Sequence, residues 1–497
     1  MATRIIIDTN IVISLEGNAP VSDCYSQLLA LLQLNGVCVL VHPASLDDIE
    51  NDKDEARKSI SLSKLRKYSL LEAPPPVDVE YLKAVGVGIN GVNDLIDCTI
   101  LTALLKDAVH FLITEDRGLH TRARVLKLGD RVLTAEQALS LFSAVFEKRI
   151  VKLPNLEPIQ LHQVRDELQD KLFDSLRSDY PKFDKWFIDA CQAGRRGWIA
   201  RDFEEKLGAI CIYKEEIDPQ VTADCRLTGR ILKLCTFKVE RNVGGQKIGE
   251  LLLKAAFKHA TQNKYEKIYV TVKSKHVELI DMLCDFGFEA VGVDMNSDDV
   301  FVKDQPLVSP ESNLDPIQYH VRYSPHFKAG AEIGKFLVPI QPAFHAQLFP
   351  EASSRQLKLP FAGPTPGNAI KLAYLCKANL GTIKSGDVLL FYRSEDFQSC
   401  TTIGIVESVE RLVDADMILE RVLKRTVYVR EEIEKICATG CLTMLFRLQG
   451  HLPSVVTMNY LESLGIKGPI QTIRKISHEQ FLFIAKQGQF EDSISPN

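Results

Sequence analysis

Residues 93–116 read NDLIDCTILTALLKDAVHFLITED. The first half predicts a helix, with Asn93 as its N-cap and Leu95, Ile96, Thr99, Ile100, Ala103 and Leu104 recurring at helical spacing. Asp94 and Asp97 stand three apart in the first turn and so share one face. The second half predicts a short buried strand, Phe111-Leu112-Ile113, that stops at Thr114-Glu115-Asp116. A carboxylate just past the carboxyl end of such a strand points into the crevice where open α/β sheets take ligands. The start of the chain repeats the arrangement, Ile5-Ile6-Ile7 running into Asp8-Thr9-Asn10. If the two strands are parallel neighbours, Asp8, Asp97 and Asp116 converge. Carboxylates held together repel, and a hard divalent cation removes that cost.

The opening IIIDTNIVISLEG, the Ile96-Asp97 pair with its helix, and LITED ending at Asp116 resemble the PIN domain, a family of metal-dependent ribonucleases. The resemblance spans residues 1–148. It implies a parallel-sheet α/β domain with endoribonuclease activity, and Mg²⁺ or Mn²⁺ held by Asp8, Asp48, Asp97 and Asp116. Asp48, in VCVLVHPASLDDIE, stands where most members carry Glu, and its shorter side chain leaves Asp47 and Glu50 as rivals. The alternative is that these acids are helix caps and solvated strand ends.

At 497 residues the chain exceeds one ordinary core, and about three domains are expected. Its 45% hydrophobic and 25% charged residues are those of a soluble globular protein. No apolar run is long enough to span a bilayer and no signal peptide opens the chain, so no membrane partner and a cytoplasmic location are expected. The twelve cysteines are scattered, and the one close pair, Cys437 and Cys441, has no partner pair and no nearby histidine. That argues for reduced thiols, against zinc or a disulfide frame. A net charge of −5 draws in no nucleic acid globally, so RNA contact must come from local clusters. Those are Lys64, Arg66 and Lys67; Arg122, Arg124 and Lys127; and Arg421, Lys424 and Arg425, each equally readable as a solvated helix face. Strands are expected near 4–7, 37–41, 111–113 and 131–133, with helices between and a final helix over 135–146.

A second pattern occupies residues 149–304. A short strand at 149–153 precedes a helical region whose apolar positions are Val164, Leu168, Leu172, Phe173, Phe183, Trp186 and Phe187. Residues 198–200 and 207–213 predict a hairpin, and 231–239 another strand. RNVGGQKIG (241–249) then leads into a helix that buries Ile248, Leu251, Leu252, Ala255 and Ala256. Strand, glycine-rich turn, helix is an anion-binding arrangement, because the backbone approaches closely and free N–H groups at the helix start point at the anion. A strand at 268–272 and a helix ending in Asp285-Phe286-Gly287-Phe288 follow.

This order resembles the GNAT acyltransferases, whose corresponding turn holds the pyrophosphate of acetyl-coenzyme A. The resemblance implies Gly244, Gly245, Gln246, Lys247, Ile248 and Gly249 as coenzyme-binding residues. It departs from the family where chemistry is concerned. Gly244 takes the place of the usual Arg or Gln, and Lys247 that of the middle glycine. Leu283 stands where the family's acid Tyr lies, and His276 where Asn is usual. No carboxylate on 231–239 stands out as a base. These departures imply binding with slow transfer, or a spacer domain. His276 is either a substitute acid or a helix cap.

Residues 305–316, QPLVSPESNLDP, predict a linker. Beyond it, 317–497 reads as short strands with helices. The opening Ile340-Gln-Pro-Ala-Phe344 and the strand GDVLLFYRS (386–394) resemble the PUA-like superfamily, nearest its ASCH and EVE members, which bind RNA or modified bases. That implies a small β-barrel with helices packed outside, and Arg393, Lys424, Arg425 and Tyr428 contacting phosphate and stacking on a base. The same four residues read equally as barrel surface. The family's Gly-x-Lys-x-x-Glu loop is not evident.

The fold class is therefore multidomain α/β, and three readings compete. The first is an RNA-acting protein with an endoribonuclease domain, an acetyltransferase-like domain and an RNA-binding barrel. By analogy with nuclease and acyltransferase toxins it would be a stress or defence toxin, partnered by RNA and a small antitoxin or regulator, with self-association into a homo-oligomer also open. The second is an acetyltransferase whose outer domains recruit RNA, aminoacyl-tRNA or protein. The third is a non-enzymatic RNA-binding regulator. Lys247 and Leu283 count against the second, the acid set against the third.

Overall fold

A computed structural model of the protein describes residues 3–8, 11, 23–50, 58, 62, 65, 67–89, 91–147, 150–151, 156–202, 205–240, 247–350, 361–362, 369–378 and 381–495, with the backbone alone at 23, 47, 48, 50, 147, 150, 151, 361 and 362. The chain forms two compact units. The first joins Met1–Val151 and Ala362–Pro364 to Leu412–Cys441; the second comprises Lys152–Phe361, Thr365–Arg411 and Leu442–Asn497.

The first unit is built on a five-stranded sheet, β1 (Arg4–Ile7), β2 (Cys38–Val41), β3 (Ser69–Leu70), β4 (Phe111–Ile113) and β5 (Val132–Leu133), in the order β3-β2-β1-β4-β5. Every neighbouring pair is parallel. Such a sheet needs both faces covered, which is why Ile5, Ile6, Ile7 and Phe111 to Ile113 are all buried. The helix Val92–Leu105 lays Cys98, Leu101 and Leu104 against Ile6 and Leu112. The helix Ala135–Glu147 sets Phe142 edge-on to Phe111, ring centroids 5.5 Å apart. Asn93 is not the N-cap of Val92–Leu105. Leu95 N–H bonds Gly91 O, so the first turn starts earlier and extended Gly91 holds the cap.

Two helices from much later in the chain, Ala415–Val422 and Arg430–Cys437, complete this unit. Arg131 and Glu420 form a buried ion pair at 2.7 Å, and Arg430 reaches Asp416 at 2.8 Å.

In the second unit a seven-stranded sheet contains β6 (Glu157–Gln160), β7 (Arg196–Arg201), β8 (Leu207–Ile217), β9 (Arg230–Val239), β10 (Lys267–Val272), β11 (Glu289–Val293) and β12 (Asp299–Asp304). Their order is β11-β12-β10-β9-β8-β7-β6. Only β9 and β10 run parallel. One face packs on Leu161, Leu172, Phe173, Phe183 and Phe187, from the helical region read in the sequence. The other packs on the helices Ile248–Gln262 and Val277–Asp285. Gly287, with φ +86°, turns the chain out of the second of these. A Cβ there would lie 2.1 Å from Val321 O, so only glycine fits.

A further six-stranded sheet contains β13 (Lys335–Ile340), β14 (Lys371–Cys376), β15 (Val388–Arg393), β16 (Ser399–Leu412), β17 (Cys441–Thr457) and β18 (Arg474–Lys475), ordered β14-β17-β16-β15-β13-β18. The expected barrel is corrected here. β13 is parallel to β15, the sheet is mixed, and among the described residues its two edges β14 and β18 do not pair to close it. No described helix is long and apolar enough to cross a membrane.

Candidate functional site

The parallel pair β9 and β10 shares a register from Ile231–Lys267 to Leu234–Val270 and no further. β9 then bulges between Leu234 and Thr236 and continues to Val239 along β8 alone. The two strands therefore part toward their carboxyl ends. The slot between them is edged by backbone amides that no neighbouring strand takes up across the gap. An extended ligand bearing amides of its own matches that donor set.

The helix Ile248–Gln262 begins beside this slot. Its N-cap is Lys247, in the left-handed conformation (φ 52°, ψ 31°). Gly244, Gly245 and Gln246 lie outside the described residues. Ile248 is a core residue. Gly249 serves close packing, since a Cβ there would lie 2.9 Å from Met282 Sδ. That places its missing side chain against the neighbouring helix rather than toward a phosphate. The sequence reading missed Glu250, whose carboxylate accepts the N–H groups of Ile370 at 2.8 Å and Lys371 at 3.3 Å. Lys247 Nζ sits 3.2 Å from Glu250 and donates to Lys371 O at 3.4 Å. Burial works to raise the Glu250 carboxyl, but Lys247, Lys371 and those two N–H groups hold it below the ordinary range. The ammonium of Lys371 is turned to Asp285 Oδ2 at 2.6 Å, so Lys247 and the helix start are the groups beside the slot that suit a phosphate-bearing ligand.

Leu283 is fully buried in the core behind the sheet, so the position of the family acid is a packing position here. His276 is the N-cap residue of Val277–Asp285 and its carbonyl accepts the Ile280 N–H, but its side chain makes no capping bond. Its ring Nε2 lies 2.6 Å from Asp179 Oδ2 instead.

In the first unit, β1 and β4 are parallel neighbours, as the convergence of the acids requires. Thr114 ties their ends together. Its hydroxyl donates to Asp8 Oδ2 at 2.6 Å and accepts the Asp116 N–H at 3.0 Å. Asp116 caps the helix Arg117–Val125 through the Leu119 N–H. Asp97 meets Arg122 Nη1 at 2.9 Å, and the other arm of Arg122 holds Asp94. Burial pushes the Asp97 carboxyl up to about 7; Arg122 opposes this, and Asp116, Asp8 and Asp94 add to it. A Cβ on Gly118 would lie 2.8 Å from Arg122 Nη1 and 2.9 Å from Asp116 Oδ1, so the bare glycine gives the guanidinium its place. Asp48 lies on the helix Pro43–Glu50, and the side chains of Asp47, Asp48 and Glu50 are outside the described residues.

Among the described residues, which leave out the Asp48 side chain, no group of three or more His, Cys, Asp or Glu is arranged to hold a metal ion. Arg122 supplies this acid cluster with positive charge from within. No local pattern advertised it, since Arg122 lies 28 residues from Asp94.

Of the expected RNA-contacting residues, Lys424, Arg425 and Tyr428 belong to the first unit and Arg393 to the second. Tyr428 and Arg425 are buried, so Tyr428 has no face to stack on a base. Arg425 pairs with Asp130 at 3.1 Å and Lys424 donates to Gly129 O at 2.7 Å. Arg393 belongs to the second unit and pairs with Asp396.

No curated protein matches the chain. Among solved structures it is similar to an ASCH protein from Zymomonas mobilis, at 10% identity over 31% of this chain and 94% of that one, TM-score 0.24. It is similar to the PaiA N-acetyltransferase from Thermoplasma acidophilum in complex with coenzyme A, at 14% identity over 30% of this chain and 99% of that one, TM-score 0.23. A GNAT-family acetyltransferase from Staphylococcus aureus gives 13% identity over 30% and 99%, TM-score 0.24. Residues 161–288 match the model of the acetyltransferase (GNAT) family.

Proposed function

We propose that the chain is an N-acetyltransferase that takes acetyl-coenzyme A into the slot between β9 and β10. This reverses the order of the readings drawn from sequence. The observation that carries it is the parting of the one parallel strand pair in the seven-stranded sheet, beside a helix start capped by Lys247. The family match over 161–288 supports the same reading. Bound there, the coenzyme would supply an acetyl thioester. The backbone amides of β9 and β10 beyond their shared register would hold its amide-bearing arm, and Lys247 with the helix start its phosphates. The buried walls, Leu234 and Val270 among them, keep water from the thioester.

The test is binding before turnover. Acetyl-coenzyme A should raise the melting temperature of the protein and give calorimetric heat, and Lys247→Glu should weaken both. If the wild type shows neither, the slot is closed and the acetyltransferase reading falls.

A second reading, RNA cleavage by the first unit, is favoured by the convergence of Asp8, Asp97 and Asp116, and RNA as a partner goes with it. Mn²⁺-dependent cleavage of RNA by the wild type and its loss in Asp97→Asn would support it. Equal cleavage by both would remove it.

A further inference from the structure

Three loops meet at the carboxyl end of β10. Val272, its last residue, pairs with Asp299, so the turn before β12 lies beside residues 273–276. The end of the helix Asp174–Asp179 is bonded to both. Asp179 takes His276 Nε2 on one oxygen, at 2.6 Å, and Lys275 Nζ on the other. The next residue, Tyr180, donates its hydroxyl to Asp298 at 2.7 Å, and Lys273 Nζ lies 3.4 Å from the other oxygen of Asp298. The side chain of Asp179 is 3% exposed and that of His276 41%. A buried carboxylate thus fixes the ring and its tautomer from behind, while the imidazole faces outward at the mouth of the slot. Nδ1, the nitrogen left over, has no hydrogen-bond partner among the described residues. Hydrogen bonds from Lys275 and His276 outweigh burial and hold the Asp179 carboxyl below the ordinary range, so it remains an anion.

We propose that His276, oriented by Asp179, is the proton-transfer group of this site. The proposal rests on the acetyltransferase reading. The nitrogen lone pair of a primary amine adds to the thioester carbonyl carbon and a C–N bond forms. His276 Nδ1 takes one N–H proton. The C–S bond breaks with its electron pair going to sulfur, and the proton passes from His276 to that thiolate. The products are an amide and a free thiol, and no further reactant is needed. Asp179 is a positioning residue. The charged and titratable groups around the ring are Asp179 and Tyr180 from one side, Lys273 and Lys275 from its own loop, and Asp294 and Asp298 from the turn.

The experiment has two arms on the full chain. In the absence of coenzyme, ¹⁵N NMR of the His276 ring should show the proton on Nε2, and Asp179→Asn should weaken that tautomer preference. With acetyl-coenzyme A and a panel of primary amines, thiol release should fall about 10²–10⁴-fold in His276→Gln. The KM for acetyl-coenzyme A should hold in both variants, and kcat should fall in Asp179→Asn as well. Unchanged kcat and pH profile in both variants overturn the dyad while leaving the acetyltransferase reading intact. Acetyl-coenzyme A binding with no amine acetylated by the wild type overturns the dyad and leaves a coenzyme-binding site. No binding overturns the reading and the dyad together. A ring protonated on Nδ1 alone overturns the orientation assigned to Asp179.

Discussion

Glu250 Oε2 accepts the backbone N–H of Ile370 at 2.8 Å, so the first turn of the helix Ile248–Gln262 is bonded to the residue preceding β14. Replacing Glu250 with Ala strands the N–H groups of Ile370 and Lys371. The expected cost is about 1–3 kcal/mol, read from urea unfolding. The folded carboxyl titrates below its unfolded value. Its stabilising contribution is therefore present above the unfolded value and lost as pH falls, so Glu250→Ala should be less acid-sensitive than the wild type. Equal acid sensitivity would detach Glu250 from this role.

Leu283 is a packing residue, and its variants should behave that way. Leu283→Ala should cost about 2–5 kcal/mol. Leu283→Tyr should not restore an acid; it should overpack a filled core at about 1–3 kcal/mol. A faster acetyl transfer in Leu283→Tyr with unchanged stability would contradict the core assignment.

Arg122 stands between Asp94 and Asp97 as the built-in counter-charge. Arg122→Gln should lower the melting temperature in EDTA, because Asp8, Asp94, Asp97 and Asp116 then repel. Mn²⁺ should restore part of that loss, stabilising the variant more than it stabilises the wild type. Equal Mn²⁺ stabilisation of the two proteins would show that the guanidinium does not fill the cation's place.

The Asp97 carboxyl, pushed up to about 7, titrates well above its unfolded value. A group raised in this way contributes stability that is fully present below the unfolded value and lost as pH rises through the folded one. Between about pH 4 and pH 8 the wild type should thus lose stability relative to Asp97→Asn. Parallel pH curves for the two proteins would rule this out.

Much of the local structure was legible because it repeats with a period. The runs Ile5 to Ile7 and Phe111 to Ile113 announce buried parallel strands, and Leu251, Leu252 and Ala256 announce a helix face. The apolar positions from Val164 to Phe187 were read as one helical region, and the structure divides them among short helices on one face of a sheet. What escaped the sequence is long-range and polar. The Arg122 pairs, the Asp179–His276 contact across 97 residues and the Glu250–Ile370 bond across 120 join positions with no shared period. The barrel expectation failed for a related reason. Strand order beyond β13 is set by side chains meeting in space, and short strands separated by variable loops carry no sign of it.

The first unit draws Ala415–Val422 and Arg430–Cys437 from the far side of nearly the whole intervening chain. Arg131 meets Glu420, and Thr3 meets Asp416, only once those helices exist. During synthesis, therefore, the amino-terminal sheet emerges with Arg131 able to bond Asp107, Val109 and His110 but still without its buried acid partner Glu420. The unit that opens the sequence has all its segments only once Cys441 has been made.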